Sequence, residues 1–352
     1  MTAKREDLLI PAWTHDRLGC DRPPEIEASY FDPDLHAWVL SRHVDLLAAF
    51  RDPSLVVGRR DLASFSLESE EIVRLNMREE VRNALCPVRL RVWLDELEAE
   101  SDALCRKLQT IEPLDLVADY GRPLCLRFAA LVTGISQTDA ETLERLAQTV
   151  SEATADPGDS VLSAQAEHAN ETLRGHFSAG PESLRDSGFV GLSQTLLRIV
   201  SASWYALIQF PDQWKVLRGS PQSLDQAMEE LLRYAGVIRI LWRTATKDVD
   251  LNGTSIRQGD HVVLRVFAGS HDPERFEEPE KLDCARRDRH HFAFGAGVHA
   301  CVAANLNRMA AVTMTAPLLA RFASVKLSQR VEWHGGSIMR SPASLWVVVS
   351  QG

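Results

Sequence analysis

The amino-acid sequence predicts a mostly α-helical fold with smaller β-sheets, on three observations. Helical patterns dominate residues 70–150 and return over 188–210, 222–235 and beyond residue 301. Strand-like runs are short and sit beside turn residues, Asn252-Gly253 between DVDL and TSI being the clearest, because Asn-Gly accepts the positive φ angles of a two-residue hairpin turn. With 45% hydrophobic content over 352 residues, the chain can bury a large core. It is read as a single domain, residues 1–352, with no internal repeat.

Taken in order, Ala37 to Leu40 are strand-like after a turn, and Val44 to Phe50 suit a short helix ended near Pro53. The stretch from Thr154 to Gly188 is rich in Ala, Gly, Ser, Asp and Glu and is broken by PGD and AGP. Gly188 to Phe210 is a long apolar helix, with Pro211-Asp212-Gln213 as the turn after it. From Gln222 to Ala235 the apolar residues Leu224, Ala227, Met228, Leu231 and Leu232 recur at helical spacing. Glu230 and Arg233 lie one turn apart there, which by itself predicts a surface ion pair worth a few tenths of a kcal/mol. His261 to Val266 forms a further strand, Pro317 should kink the last helix, and Ser337 to Ser350 contains the strand-like LWVVV.

Charge and cysteine usage narrow the class. A net charge of -10 argues against a nucleic-acid partner, whose phosphates need a basic surface. The six cysteines are scattered without CxxC pairs and no signal-like run opens the chain, so they read as reduced thiols of a cytoplasmic protein. No run reaches the roughly 18 apolar residues of a membrane helix. Arginine is frequent over residues 74–91 and again at Arg286, Arg287 and Arg289, which reads either as solvated helix faces or as a docking patch for an acidic partner.

The chemistry concentrates in HHFAFGAGVHACVAA, residues 290–304. Gly295 and Gly297 allow positive φ or close approach to a flat partner, and Cys301 stands where helical periodicity begins. A helix N-terminus favours the thiolate, and thiolate is a ligand of haem iron. Phe294, Gly295, Gly297, His299, Cys301 and Ala303 fill in order the constrained positions of the haem-binding loop of the cytochrome P450 superfamily, which this stretch resembles. A buried structural cysteine after a glycine turn is the bland alternative, and the companion motifs weigh against it.

The resemblance covers nearly the whole chain from Tyr30 and implies a P450 fold, with haem b between the distal long helix and the cysteine-bearing helix. Cys301 is then the axial and metal ligand, and Phe294, Gly295 and His299 belong to the haem-binding set. Arg74 and Arg78 fall where the family has a His and an Arg for the haem propionates, and Arg243 where it has a second such arginine. In the register set by Pro211, the distal motif falls on Gly191, Leu192, Ser193, Gln194 and Thr195. Thr195 is the expected hydroxyl, whereas Gln194 replaces the usual acid and Leu192 a glycine. Glu230, Arg233 and, from Asp272-Pro273-Glu274-Arg275-Phe276, Arg275 resemble the family's buried Glu, Arg, Arg cluster. Residues 154–188 correspond to the lid of the substrate pocket, and Ser337 to Ser350 to a closing hairpin.

What the resemblance implies about function is oxidation of a small hydrophobic molecule in secondary metabolism, with NAD(P)H electrons delivered by ferredoxin and ferredoxin reductase. Two other classes stay open: a haem-thiolate enzyme that does not cleave O2, such as an isomerase, dehydratase or peroxide user, and a non-catalytic partner of another biosynthetic enzyme.

Overall fold

The computed structural model describes residues 26–58, 78–108, 113–156, 159–177 and 186–351. Strands β1 (Tyr30–Asp32) and β2 (Ala37–Leu40) form an antiparallel hairpin, and Asp32 Oδ1 accepts the N–H groups of Asp34 and Leu35 at 3.0 and 3.1 Å to fix its turn. Helix α1 (His43–Arg51) and β3 (Leu55–Val57) follow. With β5 (Leu241–Ala245) and β8 (His261–Leu264) they build a five-stranded sheet in the order β1-β2-β8-β5-β3, in which β2 and β8 are parallel and the other pairs antiparallel. The hairpin β6 (Val249–Leu251) and β7 (Thr254–Ile256) turns through Asn252 and Gly253 at φ 52° and 85°, the geometry their sequence predicts.

The helical part begins with residues 78–84 and α2 (Pro87–Leu108), whose inward positions Leu90, Leu94, Leu97, Ser101 and Cys105 are buried. After β4 (Leu114–Asp115) a π turn over Leu116–Gly121 runs into α3 (Arg122–Thr133), then come α4 (Gln137–Ala155) and α5 (Ser160–His176). Helix α5 occupies the stretch that the breaks PGD and AGP marked as interrupted. The first break supplies its cap, because the Asp159 carboxylate accepts the N–H groups of Val161 and Leu162 at 3.0 and 2.9 Å.

The distal helix is one continuous run of three pieces, α6 (Asp186–Val190), a π turn over Gly191–Thr195, and α7 (Leu196–Gln209), where the Leu196 N–H reaches back five residues to the Gly191 carbonyl. Pro211-Asp212-Gln213 is the first turn of α8 (Pro211–Gly219) and not a free turn, since proline is pre-shaped for a helix's first position. Helix α9 (Leu224–Ala235) is followed, after the sheet, by α10 (Val266–Gly269) and by α11 (Ala304–Arg321), which keeps Pro317 inside it. Strand β9 (Phe322–Leu327) lies against β12 (Trp346–Gln351), which also pairs with β4, and only β10 (Trp333–His334) and β11 (Ser341–Pro342) pair between them. LWVVV therefore closes a sheet with β9 and β4 instead of a hairpin within residues 337–350.

The core sits where α7 crosses α3 and α11. Trp204 is fully buried and donates to Thr315 Oγ1 at 3.0 Å, and Tyr120 donates to the Met314 carbonyl at 2.8 Å. Gly121 lets the helices meet this closely, for a Cβ there would lie 2.9 Å from a Leu197 methyl and 3.1 Å from the Trp204 ring. Among the described residues no helix is long and apolar enough to cross a membrane.

Candidate active site

The loop from Phe292 to Ala304 is shaped by its own backbone. The Gly295 N–H donates to the Phe292 carbonyl at 2.9 Å and the Cys301 N–H to the Phe294 carbonyl at 2.8 Å, so the chain folds back and presents Cys301 beside Phe294. Gly295 and Gly297 have φ of 67° and 66°. At Gly297 the need is doubled, since a Cβ would lie 2.1 Å from the Phe50 carbonyl oxygen of α1. Arg78 donates to the Ala300 carbonyl at 2.6 Å and brings a positive charge to the loop next to the cysteine.

Two ion clusters flank the loop, a buried one around Glu230 and a part-buried one around Glu229. Glu230 accepts both Nε and Nη2 of Arg233, at 2.7 and 2.8 Å, and the Asp283 N–H at 3.1 Å, and it forms an ion pair with Arg286, whose Nε lies 3.1 Å away. Arg275 is not part of this cluster: it pairs with Asp288 at 2.8 Å and is more than a third exposed. The second arginine on Glu230 is Arg286, which sequence reasoning missed because nothing local separates it from Arg287 and Arg289. The other cluster joins three elements, with Glu229 of α9 holding His291 Nε2 at 3.0 Å and Arg308 Nε of α11 at 2.7 Å. Burial acts to raise the Glu229 carboxyl, but the His291 hydrogen bond and the Arg308 charge together hold it below its ordinary value.

Cys301 opens on a cavity of about 220 Å³, or about 840 Å³ when the space at its mouth is counted. Cys301 is exposed on this cavity, yet the protein packed around it still pushes its thiol pKa up, opposed by the Ala303 N–H and by the charges of Arg78 and Arg308. Phe294, Gly295 and His299 line the same cavity, as do Thr195, Ile199 and Ser203, which follow one another at four-residue steps along the distal helix. Leu232, Val237, Ile238 and Leu241 make the rest of the wall apolar. Asn307 also lines it, six residues past the cysteine, with a buried Oδ1 that has no hydrogen-bond partner among the described residues. A soft sulfur donor on a glycine loop, facing an apolar chamber whose opposite wall carries one hydroxyl from a π turn, fits a flat apolar group held through its metal by a thiolate.

Not every predicted residue meets there. Gln194 lines a different cavity, of about 200 Å³, on the other side of the distal helix with Glu144, Glu152, Arg198 and His334. Arg243 is buried in β5, donates to the Trp242 carbonyl at 2.9 Å and stacks over the Phe50 ring at 5.5 Å, outside the lining of the Cys301 cavity. Arg74 lies outside the described residues.

Known proteins agree with this architecture. The family model described as Cytochrome P450 matches residues 221–334, the span that holds α9, strands β5 to β8, the glycine loop and α11. The chain belongs to the cytochrome P450 superfamily. Among curated relatives of this P450, Nocardicin C N-oxygenase of Nocardia uniformis subsp. tsuyamanensis is 28% identical over 88% of each chain. Linalool 8-monooxygenase of Pseudomonas putida is 26% identical, covering 87% of this chain and 88% of its own. The crystal structure of cytochrome P450 CYP109B1 from Bacillus subtilis superposes with a TM-score of 0.79 at 21% identity, over 97% of this chain and 99% of that one, a likeness of fold. The protein is thus an enzyme of the P450 type, and membership implies a haem with a cysteine thiolate ligand and electrons from redox partners.

Proposed function

We propose that this P450 is a monooxygenase that inserts one oxygen atom into a small hydrophobic molecule in secondary metabolism. It draws NAD(P)H electrons through ferredoxin and ferredoxin reductase in the cytoplasm, and folds as one domain. The observation that carries the reading is that Cys301 and Thr195 line one apolar cavity from two different elements. The relatives that oxygenate, by their names, a nocardicin nitrogen and a linalool carbon support the reaction class.

Haem bound in the cavity would supply the activation of oxygen. Cys301 would hold its iron from below, with the Ala303 N–H and the Arg78 and Arg308 charges stabilising the sulfur's negative charge. His299, which lines the cavity, and Arg78, bonded to the Ala300 carbonyl, would meet the propionates as hydrogen-bond donors, and the family resemblance gives the same role to Arg74 and Arg243. The apolar wall of Leu232, Val237, Ile238 and Leu241 would orient a hydrophobic substrate and exclude water. Thr195 would hold a proton on its hydroxyl at the distal side.

Gln194 favours a second reading, in which O2 cleavage is inefficient and the enzyme uses peroxide or performs a reaction needing no cleavage. An amide does not titrate near neutral pH, so it orients a water but cannot itself give up a proton. The test of the first reading is the spectrum of the dithionite-reduced protein with carbon monoxide. A red-shifted Soret band that Cys301→Ala abolishes is expected, and a thiolate band that survives the substitution assigns the ligand to another cysteine.

A further inference from the structure

On the side of the distal helix away from Cys301, the cavity of about 200 Å³ that holds Gln194 has room for a small molecule, where a single water needs about 10–15 Å³. One wall of it carries a charge without a counter-ion. Arg198 of α7 is 6% exposed and is held by neutral hydroxyls, donating through Nε to Ser151 Oγ of α4 at 3.3 Å and through Nη1 to Ser341 Oγ of β11 at 3.5 Å. Both bonds are longer than the roughly 2.7–2.9 Å of a charge-assisted bond to a carboxylate. Among the described residues no carboxylate pairs with this guanidinium.

The other charged groups of the lining have partners of their own. Glu144 takes both Nε and Nη2 of Arg122, at 2.5 and 2.9 Å, and Glu152 accepts the Gln148 amide at 2.8 Å, its charge reaching Arg198 only through space. His334 is kept neutral, because burial and the Arg198 charge both push its pKa down. Gln194 stands four residues before Arg198, the spacing at which an acid pairs with an arginine, but its amide brings no charge. A buried cation without an anion is costly, and a ligand that supplies the anion removes that cost. Val117, Leu197 and Pro342 add apolar surface to the same lining.

We propose that this cavity is a second small-molecule site, separate from the Cys301 cavity, that binds a short-chain aliphatic carboxylate. Its carboxylate takes charge-assisted hydrogen bonds from Arg198 and a further one from the Gln194 amide, and its alkyl tail lies against Val117, Leu197 and Pro342. Arg198 selects for the anion, while Glu152 opposes it and limits how tightly it is held. The assignment stands on this cavity alone and not on the oxygenase reading.

The experiment is calorimetric titration of the haem-loaded protein with butyrate, and with the neutral butyramide of nearly the same shape, while the Soret band is followed. The expected result is saturable one-to-one binding of butyrate with a dissociation constant below about 5 mM, at least tenfold tighter than that of the amide, with no Soret shift. Arg198→Gln should weaken it at least tenfold. Gln194→Glu should do the same while raising the midpoint of thermal unfolding, since it builds a carboxylate in beside Arg198. Glu152→Gln should tighten binding about threefold by removing the opposing charge, a gain that no loss of folding produces. Binding that shifts the Soret band, that is equal for the amide, that is unaltered in Arg198→Gln, that weakens in Glu152→Gln, or that never saturates would each overturn the assignment.

Discussion

Replacing Arg233 by Met should be among the most damaging single changes outside the cavity. The guanidinium is fully buried, and it donates to both oxygens of Glu230, to the Ser270 carbonyl at 2.8 Å and to the Pro279 carbonyl at 3.0 Å. Met fills much of the volume but supplies none of these donors, so among the described residues Glu230 keeps Arg286 and the Asp283 N–H. Breaking a buried pair from one side costs about 3–5 kcal/mol, because the remaining charge stays out of water. Arg275→Leu is the internal control: it removes a partly exposed pair with Asp288, worth at most about 1 kcal/mol. Urea unfolding followed by circular dichroism, with haem content measured on the same preparations, reads both. A loss for Arg233→Met no larger than that for Arg275→Leu would refute the reasoning, since the two arginines would then be equally well solvated.

Three further outcomes are expected. Gly297→Ala should destabilise the loop by about 1–3 kcal/mol and lower haem retention, because it combines a positive φ with a Cβ 2.1 Å from the Phe50 carbonyl, and unchanged thermal stability would contradict it. Gln194→Glu should raise the product formed per NAD(P)H consumed, and tight coupling in the parent with no gain in the variant would reject the second functional reading. Glu229 has a depressed folded pKa, so its contribution is present above the unfolded value of about 4.3 and is lost as pH falls through the lower folded value. The stability gap between the parent and Glu229→Gln should thus be widest above about pH 5 and close in stronger acid, and a gap independent of pH would exclude the ion cluster as its source.

The parts of the fold that were legible in the sequence are those whose cause is local. Asn252-Gly253 specifies its hairpin through backbone preference alone, and the apolar spacing of Leu224, Ala227, Met228, Leu231 and Leu232 specifies the buried face of α9. The cysteine loop was legible for the same reason, since its glycines answer to positive φ within the loop. What the sequence did not reveal depends on contacts made across distance. Glu230 and Arg233 look like a surface pair at helical spacing, and only the carbonyls of Ser270 and Pro279, some forty residues on, show that the pair is buried. Arg275 and Arg286 are equally good partners for Glu230 on charge, and the turn headed by Asp283 brings the second of them within reach.

Gln194 and Thr195 show a different limit, one that helical geometry could have removed. Neighbouring residues on a helix point about 100° apart, so reading a motif as a block does not by itself place both side chains in one chamber. The four-residue steps from Thr195 to Ile199 and Ser203 already mark the face toward Cys301, and by the same count Gln194 keeps company with Arg198 and Ser201. Because the cavity with Gln194 also holds Glu144 and Glu152, the acid missing from the motif is not missing from the neighbourhood. Its carboxylates come from α4, whose end is tied to the C-terminal part of the chain by the Ile338 N–H on the Ala155 carbonyl at 2.9 Å. Restoring an acid at position 194 therefore adds a carboxylate to a cavity that already holds two, and the coupling measurement on Gln194→Glu reads whether its place on the distal helix, and not its presence nearby, is what matters.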